Sequence, residues 1–530
     1  MNNNNNNHQF RLSQFKKTKT EQEYIDERQE KFEKQRNDQK RSSLLDKRKK
    51  LSITTQQESL DKSQLIQLVS RLKLDIASSY NVDKDTKFRI LVSLRNLVSR
   101  EMSLDQTILL TQLIIDDYIS SNSLKKNVKD EDIHMDDEKS VENTKSIWSF
   151  VIECLRNSNA GLRFQLESAW CITNMACGNE AQCKFLLESS CYLVQYLGSG
   201  HKVLQDQCAW ALGNIAMDSI EIRDSLLRQG IIPSLVKLLA SDTKSLLDST
   251  CFCMSSLLKL PIVNVKLHKL IHSHLLSILN LLNYQLSHSK DSEIIFNHLW
   301  LLCDIFRNCK LSYLPLTTEY LPKDISVILS TISIMNNNNI WNTSIALPCI
   351  RILGTLVTDE SIFSNYILPN TKQIDHLIKP ILEILNNIQL EYSKISTKSI
   401  ITIVKESLYY LSNLIYYDNS NNNNSLTNIL IQSQYINQLF LMKLNDIFST
   451  SLCSDQCIQI ELIQLLYNIY CKDSTILLKQ PYWTLVLDLF KEYSDKSTIE
   501  KHQHIEDLGL ENVQKLTNNL LTHVNSINLK

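Results

Sequence analysis

The sequence predicts an all-α protein built of helical repeats, and three observations carry that reading. One pattern recurs at a period of about 40 residues, the length of an armadillo or HEAT repeat. Gln165-Leu-Glu-Ser-Ala-Trp170-Cys-Ile-Thr-Asn174-Met-Ala returns as Gln205-Asp-Gln-Cys-Ala-Trp210-Ala-Leu-Gly-Asn214-Ile-Ala. From about residue 62, apolar residues fall at helical spacing, beginning with Leu65, Ile66, Leu68, Val69 and Leu72, with no convincing alternating strand from there to the end of the chain. Glycine is scarce, with 8 in 530 residues against a usual ~7%, which disfavours folds built on tight turns or phosphate-cradling loops.

In chain order, residues 1–10 are asparagine-rich and read as disordered. Residues 11–52 form a charged, aliphatic-poor segment with Lys and Arg at its two ends and a mixed middle from Glu21 to Asp38. Such a segment cannot bury a core by itself, so it is expected to be a flexible arm or a helix that orders on a partner. Residues 53–61 read as a linker. Residues 62–530 then supply about ten repeats, with an acidic insert near 121–146, expected as a loop, and asparagine-rich inserts at 336–339 and 420–424. Insertions of this kind map to loops in repeat proteins, because each repeat contacts only its neighbours.

The repeat pattern continues beyond the opening pair with decay. The third copy is Phe252-Cys-Met-Ser-Ser256, the fourth Trp300-Leu-Leu-Cys-Asp304 and the next Arg351-Ile-Leu-Gly-Thr355. After these come Tyr409-Tyr-Leu-Ser-Asn413 and Gln464-Leu-Leu-Tyr-Asn468, and the spacing between later copies is wider than between the first two. Residues four apart share a helix face, so each complete copy offers an indole beside an amide. An indole can hold an alkyl stem, and an amide can take both a backbone N–H and a backbone C=O. Stacked repeats would thus form a row suited to an extended peptide.

Composition excludes several other classes. Net charge is −1, so no global field points to nucleic acid. The N-terminus lacks the charged stub and apolar run of a signal peptide. Apolar stretches such as Leu275 to Leu286 are broken within about 12 residues, too short to span a bilayer. The 14 cysteines show no paired metal spacing, and buried thiols behave as small hydrophobes. His268, His272 and His274 come nearest to a metal cluster and are expected in surface or packing roles. No nucleophile elbow, Walker sequence or zinc-protease motif occurs. The chain is expected to be no enzyme and to need no cofactor or metal.

Where the two full copies stand, the chain resembles importin-α, the adaptor that carries nuclear-localisation signals. The likeness is tightest from Gln165 to Leu239, including Trp210-Ala-Leu-Gly-Asn214-Ile-Ala and Gly230-Ile-Ile-Pro-Ser-Leu. It implies an armadillo-repeat, right-handed superhelical solenoid with a basic N-terminal arm, and a concave groove that grips a basic peptide twice. By resemblance, the major grip comprises Trp170, Asn174, Gly178, Gln207, Trp210, Asn214 and Asp218, with Asp218 and the Gly178 carbonyl taking the signal's key lysine. That chemistry is sound, since an ammonium needs an anion and oxygen acceptors while its stem needs apolar walls. Cys183 stands where the family usually has a threonine hydroxyl. At the third rung, Phe252 and Ser256 replace the indole and the amide, which shortens the groove there.

The minor grip would comprise Arg351, Glu406, Tyr409, Asn413, Glu461 and Asn468, with both indoles missing. For Glu406 and Glu461 the alternative is an ordinary exposed acid, and Asp304 on the fourth rung reads as a surface carboxylate. The arm resembles the family's importin-β-binding segment through Arg11, Phe15, Lys16, Arg28, Lys40, Arg41, Lys47, Arg48 and Lys49, although Asp26-Glu27 interrupts the family's run of arginines. The Lys47–Lys49 cluster would fold back into the groove when importin-β is absent; a plain solvated basic run is the other reading. The tail from Ile505 to Asn512 resembles the last repeat, without the acidic extension beyond it. The implied partners are importin-β, cargo proteins with basic signals, an export receptor and, indirectly, the nuclear pore. The implied location is cytoplasm and nucleus, by shuttling. The alternative is an armadillo scaffold that has lost import.

Overall fold

A computed structural model describes residues 61–78, 83–100, 104–130, 146–157, 161–217, 219–258, 265–289, 291–308, 343–358, 397–416, 456–472 and 483–494, with scattered helical positions besides. The described residues are helical, with no strand among them. Two compact units divide the chain, one spanning Thr54–Thr317 and the other Met1–Ile53 with Thr318–Lys530.

The first unit begins with α1 (Lys62–Ser78), α2 (Lys84–Val98) and α3 (Leu104–Asp130). Helix α2 starts where Asp83 accepts from the backbone N–H groups of Asp85 and Thr86 at 2.9 and 3.0 Å, satisfying donors a helix start leaves open. Helix α3 runs through Asp130, so the acidic stretch expected as a loop from residue 121 begins as helix. Its backbone pattern tolerates polar residues because lysine and asparagine remain compatible with helix. Residues 131–145 lie outside the described residues.

The repeats then follow a regular plan of shorter helices and one long one. Helices α4 (Ile147–Arg156) and α5 (Leu162–Met175) precede α6 (Glu180–Leu186), α7 (Ser190–Tyr196) and the long α8 (Lys202–Ala216). The next repeat has α9 (Ile220–Arg228), α10 (Ile231–Leu238) and the long α11 (Lys244–Leu258), followed by α12 (Val265–His288) and α13 (Ser292–Asn308). A reciprocal capping box opens α6, in which Asn179 accepts from the Gln182 backbone at 3.0 Å and Gln182 accepts from the Asn179 backbone at 3.2 Å. Gly230 supplies the left-handed turn into α10 at φ 80°, a conformation that costs glycine least.

Long helices pack on long helices, in the order α2, α5, α8, α11 and α13. Helix α8 therefore has neighbours on both sides, and from Leu204 to Ala216 all of it but Asp206 is buried. The recurring Gln165 and Gln205 have a shared purpose. Gln165 donates to the Tyr196 hydroxyl at 3.1 Å and Gln205 to the Leu197 carbonyl at 2.9 Å, so each ties its long helix to the end of α7. Exposed ion pairs link successive long-helix starts, Arg163 to Asp85, Lys202 to Asp242, and Lys244 to Asp291 and Glu293. Exposed pairs of this kind add little stability each.

In the second unit, α14 (Thr343–Thr358), α15 (Thr397–Tyr416) and α16 (Gln456–Lys472) pack consecutively in the same manner, and α17 (Trp483–Ser494) lies against α16. The architecture is an all-α armadillo-repeat fold. The arm residues Arg11, Phe15, Lys16, Arg28, Lys40, Arg41, Lys47, Arg48 and Lys49, and the tail from Ile505 to Asn512, lie outside the described residues. Among the described residues, no helix is long and apolar enough to cross a membrane.

Candidate peptide-binding row

The rungs form because each long helix places its fourth-spaced pair beside the equivalent pair of the next. On α5, Trp170 is partly exposed and Asn174 is 1% exposed. The Asn174 amide donates to the hydroxyl of Ser99, which caps the end of α2, at 2.8 Å and to the Trp170 carbonyl of its own helix at 3.2 Å. On α8, Trp210 and Asn214 are both buried. The Asn214 amide donates to the Thr173 carbonyl of α5 at 3.0 Å, with the Cys177 sulfur 3.7 Å away. Its Oδ1 is buried and accepts nothing. Burying an acceptor without a donor is costly, which sets this oxygen apart from the bonded Nδ2 of the same amide.

Other members of the expected major grip sit differently. Gln207 is buried and donates to the Thr173 hydroxyl at 2.5 Å, which commits its amide to the α5–α8 contact. Gly178 ends the turn after α5, and a Cβ there would lie 1.8 Å from Gln182 Oε1. That oxygen is held by the Asn179 backbone, while Gln182 Nε2 donates to the Ile108 carbonyl at 2.7 Å. A side chain at 178 would therefore have to displace Gln182 from these two bonds, whatever the Gly178 carbonyl binds. Cys183 is buried with its thiol directed at the Ala176 carbonyl, 3.6 Å away. Asp218 lies outside the described residues.

The third and fourth rungs depart from the pattern. Phe252 presses against α8 so closely that a Cβ on Gly213 would be 2.6 Å from its ring. Ser256 is buried and donates back to the Phe252 carbonyl at 2.9 Å. Trp300 meets Phe296 edge-on, with ring centroids 6.1 Å apart. Asp304, read from sequence as a surface carboxylate, is 2% exposed. Its burial is a tertiary effect that residue type alone does not report.

In the second unit, Glu406 and Glu461 are 5% and 3% exposed, so neither is an ordinary exposed acid. Arg351 on α14 lies 3.7 Å from Glu406 on α15, and such pairing is what lets a carboxylate be buried. Tyr409 is partly exposed on the same helix, and the Nδ2 of Asn413 is buried without an acceptor. Asn468 on α16 donates to the Ser412 carbonyl at 3.1 Å and hydroxyl at 2.9 Å, and accepts from Gln464 at 3.2 Å. Thr173 directly precedes Asn174 as Ser412 directly precedes Asn413. One inter-helix amide bond thus recurs at equivalent rungs of both units.

Three residues of this row escape the sequence reading. Arg95 and Ser99 occupy the rung positions of α2, and Glu167 precedes Trp170 by three, as Glu406 precedes Tyr409. The Arg95 guanidinium lies 4.6 Å from the Trp170 ring centroid and its Nε bonds Glu167 at 2.7 Å. The three-residue Glu-to-aromatic spacing is the signal that could have found Glu167.

The buried thiols are chemically quiet. Burial pushes the Cys154 thiol up to about 12 and raises Cys171, Cys208, Cys251 and Cys253 as well. Among the described residues, no group of three or more His, Cys, Asp or Glu side chains is placed to hold a metal ion.

Comparisons with known proteins bear on the family. No protein-family model matches the chain. Over 97 residues it is 38% identical to importin subunit alpha-9 of Arabidopsis thaliana, covering 18% of this chain and 19% of that protein. It is 41% identical over 80 residues to the probable importin subunit alpha-A of Dictyostelium discoideum, covering 14% of each. Against importin subunit alpha-1b of Oryza sativa subsp. japonica it is 26% identical over 232 residues, covering 42% of this chain and 39% of that one. The matches thus span well under half the length of these relatives. In fold, the chain is similar to a crystal structure of an engineered protein, with a TM-score of 0.53, 15% identity, and 87% of this chain and 98% of that one covered. Over part of its length the chain is thus similar to proteins of the importin-α family, at a divergent level of identity.

Proposed function

We propose that the chain is a nuclear-import adaptor that binds basic nuclear-localisation signals along its long helices and importin-β through residues 11–52. The observation that carries this reading is the pair of complete rungs on adjacent helices, Trp170/Asn174 and Trp210/Asn214, with a buried and unpartnered Asn214 oxygen. An indole wall takes the stem of a lysine, and a fixed amide oxygen takes a peptide N–H. Asp218 would pair with the ammonium of the central lysine, and the Gly178 carbonyl would accept from it. On the later rungs, Arg351, Glu406, Tyr409, Asn413, Glu461 and Asn468 would attract a second basic cluster more weakly.

Lys47, Arg48 and Lys49 would compete for the same row until importin-β takes the arm. Cargo proteins with basic signals and importin-β are the partners of this reading, with an export receptor for return and shuttling between cytoplasm and nucleus. No catalytic step is involved. The test is titration of a fluorescein-labelled lysine-rich signal peptide with the full chain and with Asp218→Lys. Saturable binding lost in the variant supports the reading; equal binding by both places the peptide elsewhere. An armadillo scaffold without import activity is the second reading. It is favoured by the third rung, where Ser256 donates to its own helix instead of offering an amide. Such a scaffold would bind neither the peptide nor importin-β.

A further inference from the structure

We propose that Arg95 is a built-in cation that fills the first slot of the row and fixes where the basic side chains of a bound peptide must stop. This rests on the peptide-binding reading above. Arg95 on α2 and Ser99, which caps the end of that helix, stand four apart, and α2 packs on α5 as α5 packs on α8. They are the rung before Trp170 and Asn174, and the Asn174 amide reaches Ser99 across the helix contact at 2.8 Å.

What an incoming lysine or arginine would seek on this side of Trp170 is an aromatic face with a carboxylate beside it. Both are already taken. The Arg95 guanidinium lies over the ring at 4.6 Å from its centroid, and its Nε bonds Glu167 at 2.7 Å. The two charged side chains are only 21% and 14% exposed, so the arginine is held in place instead of sampling solvent. A second cation there would meet a covered ring, a neutralised acid and a like charge, which repels it.

The arrangement recurs. Arg351 has the ladder position of α14, lies 3.7 Å from Glu406 of α15, and Glu406 precedes the aromatic Tyr409 by three residues. Each unit thus places one arginine–glutamate pair immediately before an aromatic/asparagine rung. An inter-helix tie alone could use any partners. At Arg95 the guanidinium also covers the ring face that would make a slot.

The test uses the full chain labelled with 5-fluorotryptophan, the Trp170 fluorine signal being assigned by Trp170→Phe. Methylguanidinium is titrated into wild type, Arg95→Ala and Arg95→Ala/Glu167→Gln. The Trp170 signal should stay fixed in wild type, shift saturably in Arg95→Ala, and shift several-fold less in the double variant. A wild-type shift equal to that of Arg95→Ala, or no shift in either variant, overturns the proposal. If Arg95→Ala does not fold, the double variant, which leaves no lone acid, still must respond where wild type does not. In parallel, peptides with five and six consecutive lysines are compared. Wild type should bind them within twofold of each other, and Arg95→Ala should favour the longer by about tenfold. Equal preference in both proteins also overturns it. If wild type binds neither peptide, the adaptor reading fails, and the methylguanidinium titration alone decides the slot.

Discussion

Replacing Asn214 with leucine separates what the amide does for the fold from what it does for a ligand. In the structure its Nδ2 makes one good bond, to the Thr173 carbonyl at 3.0 Å, and its Oδ1 is buried with no donor. The lost bond costs about 0.5–1.5 kcal/mol, and the removed unsatisfied oxygen returns about 1–3 kcal/mol. Leucine has a similar volume, so the net change should lie between about 0.5 kcal/mol of destabilisation and about 2.5 kcal/mol of stabilisation. Asn468→Leu is the contrast. There the amide donates twice to Ser412 and accepts from Gln464, so the substitution should cost about 2 kcal/mol. Long repeat arrays depart from two-state unfolding, so the assay is amide hydrogen exchange in urea, read on α5 and α8 for one variant and on α15 and α16 for the other. The same Asn214→Leu protein should lose at least tenfold in affinity for a lysine-rich peptide. If α8 instead loses more than about 2 kcal/mol, beyond what one such bond supplies, and peptide binding is unchanged, Asn214 is purely structural and the assignment fails.

Two further outcomes test the packing. Gly213→Ala puts a methyl group 2.6 Å from the Phe252 ring and 3.1 Å from the Cys253 Cα. It should cost about 1–3 kcal/mol as overpacking, and Phe252→Leu should relieve only part of this, since the Cys253 backbone remains; a thermal midpoint equal to wild type would contradict it. His298 on α13 is 1% exposed, with Nδ1 2.7 Å from the Ile294 carbonyl and Nε2 buried without a partner, and burial lowers its pKa below the ordinary 6.5. The unfolded state therefore binds the proton more readily. Its contribution is complete above pH 6.5 and is lost as pH falls from there through the folded value. His298→Gln should flatten the urea midpoint of α13 across that window, and an unchanged pH slope would contradict it.

The fold and the centre of the candidate row were legible because two copies of one text recur at repeat length with their rung residues four apart. That spacing dictates a shared helix face, and Trp170/Asn174 and Trp210/Asn214 do lie on adjacent packed helices. The recurring Gln165 and Gln205 were visible too, but their bonds to Tyr196 and Leu197 depend on how α7 ends. Burial of Asp304, Glu406 and Glu461 was not legible. Charged residues are ordinarily exposed, and tertiary packing, with the Arg351 pairing in the case of Glu406, reverses this. Arg95 and Glu167 were missed because the first rung keeps the geometry with different residue types, so no text recurs. Gln207 carries the opposite lesson. Its position fits the likeness, yet its amide is committed to Thr173. Helix α3 outlasts the apolar pattern, since polar residues such as lysine and asparagine are compatible with helix formation.

Whether the chain links a basic signal to importin-β is decided by one titration. The affinity of the full chain for a lysine-rich signal peptide is determined by fluorescence anisotropy, with and without saturating importin-β. An adaptor should bind saturably in both cases, tightened about tenfold, or about 1.4 kcal/mol, when importin-β withdraws the Lys47–Lys49 cluster from the row. Identical affinities with importin-β bound would contradict arm competition. Binding of neither the peptide nor importin-β would contradict the adaptor itself.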